Sequence, residues 1–268
     1  MEPGASTQSK SASFSRDARG TRPGKYLLNV GFVVACAALL SGCFSPTYRC
    51  RYKLRIVVNV AGQEYVGESV RETSYKDPQD WFPSEGGLIV TQRGEATVVK
   101  LPGGRLLVAI GRGINPLPPS RDIATWPWDG TAPLRRAYGF GPQEWSGGRS
   151  KALQEFSKLH SGPPVPIADS DLPVLLSFKN PADPKTLFVV NPKDLSGVAA
   201  DARLVSVAVQ PTAEPLFQER IEAELPWVPA VLAAHGGLDG KRRSSVDSTK
   251  FDILQELSGD DFKFRAKQ

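Results

Sequence analysis

The run Tyr48-Arg49-Cys50-Arg51-Tyr52-Lys53-Leu54-Arg55-Ile56-Val57-Val58-Asn59-Val60 decides the fold. Tyr52, Leu54, Ile56, Val58 and Val60 alternate with Arg51, Lys53, Arg55, Val57 and Asn59. A period of two puts the first set on one face of a β-strand. Ala61-Gly62-Gln63 then turns the chain, and Tyr65 to Thr73 returns as the second arm of a hairpin. A second hairpin runs from Glu95 to Leu101, through Pro102-Gly103-Gly104-Arg105, and back along Leu106 to Gly111. Glycines in that connection supply the positive φ of a tight loop.

Further out the pattern changes twice. From Asn115 to Gly148 it dissolves into Pro, Gly, Trp and Arg, a length that marks either an ordered functional loop or a mobile one. Ser150 to His160 places Ala152, Leu153, Phe156 and Leu159 on one helical face and stops at Gly162-Pro163-Pro164. Strands then resume. Val174 to Phe178 and Thr186 to Val190 flank the turn Asn180-Pro181-Ala182-Asp183-Pro184; Leu204 to Val209 is closed by Pro211; Glu219 to Leu225 reads as one more. Val228 to His235, ahead of Gly236-Gly237, predicts a short helix. Lys241 to Ser248 reads as a polar loop, and the tail from Phe251 as a last helical turn.

About seven or eight short strands with two or three short helices predict a mainly β or α+β fold, with antiparallel hairpins in a β-sandwich-like arrangement. A doubly wound fold is disfavoured, because long helices do not alternate with the strands. The expected unit is one β-rich domain over 51–268, with room for a subdivision near 115–150.

The N-terminal segment has a different character. Residues 27–40 are almost wholly apolar and follow Arg19, Arg22 and Lys25. A positive flank before a short apolar run is the pattern of an export signal. The run falls short of the ~20 residues of a stable span, which favours cleavage over a retained helix. It ends in Leu40-Ser41-Gly42-Cys43, which resembles the lipobox of bacterial lipoproteins: an aliphatic residue, two small ones, then cysteine. The resemblance implies that 1–42 are a signal peptide recognised through Leu40, Ser41 and Gly42 and cut before Cys43. It further implies that Cys43 carries the lipid and that 43–50 form a lipidated tether to a periplasmic domain. Phe44 stands where an Asp would hold such a protein in the inner membrane, which implies the outer membrane. Three stretches, Tyr48–Val60, Gly94–Gly111 and Leu175–Pro192, resemble uncharacterised proteobacterial envelope proteins, a kinship that brings no activity with it.

Charge and cysteines fit this reading. Of 33 basic and 28 acidic residues, residues 1–42 hold five and two, which leaves 28 and 26, a net of +2. That balance lacks the clustered basic face of a nucleic-acid binder. Of the three cysteines, Cys36 lies in the apolar run and Cys43 at its end. Cys50 is then either buried and inert or a route to an intermolecular bond.

Chemistry-bearing motifs are sparse. His160 and His235 each sit at a predicted helix end, where a cation meets the dipole, and nothing spaces them for a metal. Gly67-Glu68-Ser69-Val70-Arg71 is half of a nucleophile elbow, inside a strand. Gly111-Arg112-Gly113 lacks the third glycine of a dinucleotide loop. Asp169-Ser170-Asp171 and Asp260-Asp261 read as solvated acidic turns, and Lys241-Arg242-Arg243 as a solvated loop. No catalytic set, metal site or cofactor is expected. Trp126-Pro127-Trp128-Asp129-Gly130, with Trp145, is the most suggestive stretch: Trp126, Trp128 and Trp145 either bind a sugar or protein surface or plug a core beneath the loop. The expected role is a membrane-anchored, non-catalytic binding or structural module whose partners are the bilayer, through its lipid, and an envelope protein or polymer. The alternative is an envelope glycan or peptide hydrolase using two carboxylates.

Overall fold

The alternation at 51–60 is realised as strand β1 (Thr47–Val60), which turns into β2 (Gln63–Lys76) with Val60 opposite Gln63 and Thr47 opposite Lys76. Cys50, Tyr52, Leu54, Ile56, Val58 and Val60 are buried, while Arg55 on the other face is exposed. The connecting residues Ala61 and Gly62 both have positive φ, 51° and 89°. That twist matches the strands of a two-residue hairpin. The computed structural model describes residues 46–76, 89–113, 129–140, 149–216, 220–240 and 253–264. β1 starts ahead of the expected boundary at 51: residues 47–50, assigned to the tether, are part of the sheet, because Cys50 continues the buried row.

Two antiparallel sheets follow. The first has the order β10-β3-β2-β1-β9-β6, formed with β3 (Ile89–Glu95), β6 (Val165–Pro166), β9 (Ala202–Pro211) and β10 (Lys263–Phe264). The second has the order β4-β5-β7-β8, formed by β4 (Thr97–Leu101), β5 (Arg105–Gly113), β7 (Pro173–Phe178) and β8 (Leu187–Val189). Short helices α1 (Ala132–Ala137), α2 (Arg149–Ser157), α3 (Arg220–Glu224), α4 (Val228–Ala234) and α5 (Ile253–Glu256) complete the described fold. The β-rich class is therefore as expected, and none of these helices is long and apolar enough to cross a membrane.

The second sheet is buried on both faces. Val99, Leu107 and Leu175 meet Leu54, Ile56 and Val58 of the first sheet, with Leu153 and Phe156 of α2 in the same cluster. Leu106, Val108, Ile110, Leu176 and Phe178 point the other way, onto Ile221, Leu225, Trp227, Val228 and Phe262. This is why β5 and β7 are continuous apolar runs rather than alternating ones. Trp227 packs edge-on against Phe262 at 5.1 Å and donates its indole N–H to the Pro181 carbonyl at 2.9 Å.

Several expectations change. The chain on both sides of 115–150 builds the same sheets: Val108 of β5 pairs with Leu176 of β7, and β1 pairs with β9, so the described strands are not split there. Glu219–Leu225 is helical from Arg220, not a strand, because Ile221 and Leu225, one turn apart, bury together against the second sheet. The left-handed residue that ends α4 is His235 itself, at φ 50°, rather than a glycine. α1 lies inside the supposedly unpatterned stretch, and β10, unforeseen, pairs Lys263 and Phe264 with Glu95 and Gly94. The Lys241–Ser248 loop lies outside the described residues.

Candidate functional site

Cys43, Leu40, Ser41 and Gly42, and likewise Trp126, Trp128 and Trp145, lie outside the described residues. Of the described candidates, His160 and His235 are both exposed. Among the described residues no three His, Cys, Asp or Glu side chains gather as a metal site would require. Ser69 is buried in β2, with its hydroxyl 2.5 Å from that of Thr97. Asp261 departs from expectation: it is buried, not solvated, and paired with Arg112 of the Gly111-Arg112-Gly113 run.

The site that does form lies where the chain changes sheets. β3 leaves β2 at the pair Arg71–Gly94. Gly94 has φ 128°, and an added Cβ would stand 2.8 Å from the Val70 carbonyl oxygen, so only glycine serves here. Two residues further, the Ala96 N–H donates to the Phe262 carbonyl at 2.8 Å, and the run continues as β4 of the other sheet. Arg71, 1% exposed, ties this corner. Its Nε donates to the Glu95 carbonyl (3.2 Å), Nη1 to that of Ile110 (3.3 Å) and Nη2 to that of Ala109 (2.7 Å). The guanidinium also lies 5.1 Å from the centre of the Phe264 ring. Burial pushes its pKa down to about 10, which still leaves it charged at neutral pH. Five fixed donors suit a cation that must satisfy several carbonyls at once.

Beyond Arg71, β2 has no described strand on β3's side. Its residues Val66, Gly67 and Glu68, with Val98 and Lys100 of β4 and the helix α3, border a groove of about 430 Å³, a size suited to a small ligand or a short polymer segment. Gly67 marks how close the sheets come, since a Cβ there would sit 2.4 Å from the Val98 carbonyl oxygen. The lining mixes apolar side chains (Val66, Val98, Ile221, Ala223) with charges of both signs, Glu68 and Glu224 against Lys100 and Arg220. Lys100 Nζ is 2.5 Å from Glu224, and Glu68 lies 3.6 Å from Arg55. Glu95, 3% exposed, accepts the Ile221 N–H at 3.1 Å and lies 3.9 Å from Lys263. Each carboxylate at the groove is thus already engaged by a cation or a backbone donor of the fold.

A second polar cluster fastens α1 to β2. Arg135 Nη1 donates to Asp129 Oδ2 (2.7 Å), to the Tyr75 hydroxyl (2.6 Å) and to Thr131 Oγ1 (2.8 Å). Asp129 also accepts the Thr131 N–H at 3.1 Å. Burial, then the negative Asp129, holds the Tyr75 hydroxyl well above its usual pKa, so it stays protonated. Burial works most strongly against the Arg135 charge, but Asp129 and Tyr75 together outweigh it and the pKa rises. Burial likewise lifts the Cys50 thiol to about 12. A thiol so placed is a poor nucleophile. Arg135, Asp129, Tyr75 and Thr131 thus hold one another in place.

Sequence reasoning missed Glu95, Lys100, Arg220 and Glu224. The groove joins residues 66–100 to 220–224, and only the long-range pairing of the C-terminal segment brings them together. One signal was available: Glu95 directly precedes the largely apolar run Ala96–Leu101, a position where a charge that becomes buried needs a partner.

Compared with known proteins, the chain matches no family model, no curated protein and no solved structure.

Proposed function

We propose that this chain is an envelope lipoprotein anchored through Cys43, and that its β-sandwich is a non-catalytic module that binds an envelope protein or polymer in the groove between β2, β4 and α3. The observation that carries the binding reading is the groove itself: a lining that mixes apolar side chains with charges of both signs, and carboxylates engaged by the fold. Hydrolysis by two carboxylates needs one that gives up a proton and a second facing the reacting carbon. Glu68, Glu95 and Glu224 are instead held in ion pairs or by a backbone N–H. A lining with both signs suits a peptide segment that carries amino and carboxylate groups of its own. The anchor rests on Leu40-Ser41-Gly42-Cys43 and the apolar run before it.

The test is a titration of the acylated protein in detergent with soluble cell-wall peptide and glycan fragments, followed by amide chemical shifts and by mass spectrometry of the fragments. Saturable shifts at 66–69 and 98–100, lost in Lys100→Glu, with fragments recovered intact, support binding. Cleaved fragments would establish the hydrolase instead. An absence of shifts at any concentration removes the groove as the binding site.

A further inference from the structure

We infer that the end of the first sheet nearest the anchor is a docking surface for anionic phospholipid headgroups; the inference rests on the lipoprotein reading above. Only Phe44, Ser45 and Pro46 separate Cys43 from the first strand residue, Thr47. Four residue steps span at most ~14 Å even fully extended. An acylated Cys43 therefore holds the start of β1 within little more than a Debye length, ~8–10 Å, of the headgroups.

The register defines what is presented there. Thr47 pairs with Lys76, and Lys76 with Ile89; Arg49 pairs with Ser74, and Ser74 with Thr91; Arg51 pairs with Glu72, and Glu72 with Arg93. Side chains alternate along a strand, so these nine share the face opposite the core. The block carries four cations (Arg49, Arg51, Lys76, Arg93) and one carboxylate, Glu72, which accepts ion pairs from Arg51 at 3.0 Å and Arg93 at 3.4 Å. Arg49 and Lys76 are exposed, and Ile89 is 51% exposed at the outermost row, one of the few large apolar side chains so open among the described residues. Further along β1 and β2 the same face is balanced, Lys53 and Arg55 against Glu64 and Glu68. Among the described residues, positive charge and an apolar tip thus coincide at the end that the tether brings to the bilayer. Basic residues at that distance are drawn to anionic lipid, and the attraction is screened by salt.

The experiment uses the full acylated chain in vesicles of phosphatidylcholine alone or with 30% phosphatidylglycerol. A polarity-sensitive dye is placed by Thr91→Cys within the block or by Glu64→Cys at the far end, and intact mass is read on the same samples. Blue-shifted emission at position 91 in phosphatidylglycerol vesicles, reversed by 0.5 M salt, abolished by Arg49→Glu with Lys76→Glu and absent at position 64, supports docking. Equal emission at both positions in both vesicles, with the acyl mass present, overturns the docking surface and leaves the anchor standing. A chain without acyl mass overturns both.

Discussion

Arg112 of β5 grips Asp261, 149 positions further along the chain, with two prongs: Nε to Oδ1 at 2.5 Å and Nη2 to Oδ2 at 3.2 Å. Both side chains are about nine-tenths buried. Asp261 Oδ2 also accepts the Ser258 N–H at 2.7 Å, so one carboxylate both caps a turn and latches it to the sheet. Removing one partner strands a buried charge, a loss of roughly 3–5 kcal/mol. Arg112→Ala is therefore expected to unfold at much lower urea and to lose amide protection first at 253–264. Arg112→Met with Asp261→Leu, which leaves no stranded charge, is expected to recover part of that loss. Urea melts of the three chains decide it, and equal midpoints for wild type and Arg112→Ala would show that the latch carries no load.

Gly67 gives a sharper steric test. The Cβ introduced by Gly67→Ala would lie 2.4 Å from the Val98 oxygen and 2.8 Å from Val99 Cγ2. The nearest atom is backbone, so β4 must shift rather than a side chain rotate. Overpacking of this kind costs about 1–3 kcal/mol. The same shift deforms the groove wall, so Gly67→Ala is expected to weaken any groove ligand more than a surface change such as Glu64→Ala. An unchanged denaturation midpoint would mean that the sheets have room to part.

The hairpins show how much of this architecture was legible in the sequence. β1, β2, β4, β5, β7 and β9 each announce themselves, because local alternation or a short apolar run between turn residues suffices. β10 does not: Lys263-Phe264 has no pattern of its own and is a strand only because Gly94 and Glu95 offer an edge. α3 misled for a related reason. Ile221 and Leu225 fit either period in so short a window, and the packing onto Val108 and Leu176 decides it. The groove was the least visible part, since the ion pair Lys100–Glu224 joins residues that are neighbours only after both sheets form.

The first turn is open to improvement. Ala61 holds φ 51° in a two-residue loop before Gly62, and the Gly62 N–H donates to Asn59 Oδ1 at 3.0 Å. A left-handed alanine carries a penalty of roughly 1–2 kcal/mol, whereas asparagine tolerates that region and Asn-Gly is favoured for such turns. Ala61→Asn is expected to raise stability by about 0.5–1 kcal/mol with the groove untouched. A thermal melt no higher than wild type would show that the loop relaxes elsewhere.

Buried groups that resist ionisation make stability depend on alkaline pH. Cys50 is lifted from 9.0 to about 12, mainly by desolvation and then by Asp129, and Tyr52 from 10.0 to about 12 by desolvation. For each, the folded state keeps its proton while the unfolded chain releases it. Their contribution is complete below the unfolded pKa and is lost as pH rises toward 12. Arg71 has the opposite sign: with its folded pKa depressed from 12.5 to about 10, its penalty is relieved only above pH 10. Between pH 8 and 10 Cys50 is thus the first of the three to act, and it alone is expected to remove about 1.4 kcal/mol of unfolding free energy. Cys50→Val keeps a buried β-former opposite Thr73 and has nothing to titrate. Urea denaturation at pH 8, 9 and 10 is expected to show wild type losing ground to the variant by that amount, whatever their offset at pH 8. Parallel curves would mean that Cys50 reaches solvent in the native protein, contrary to its 1% exposure.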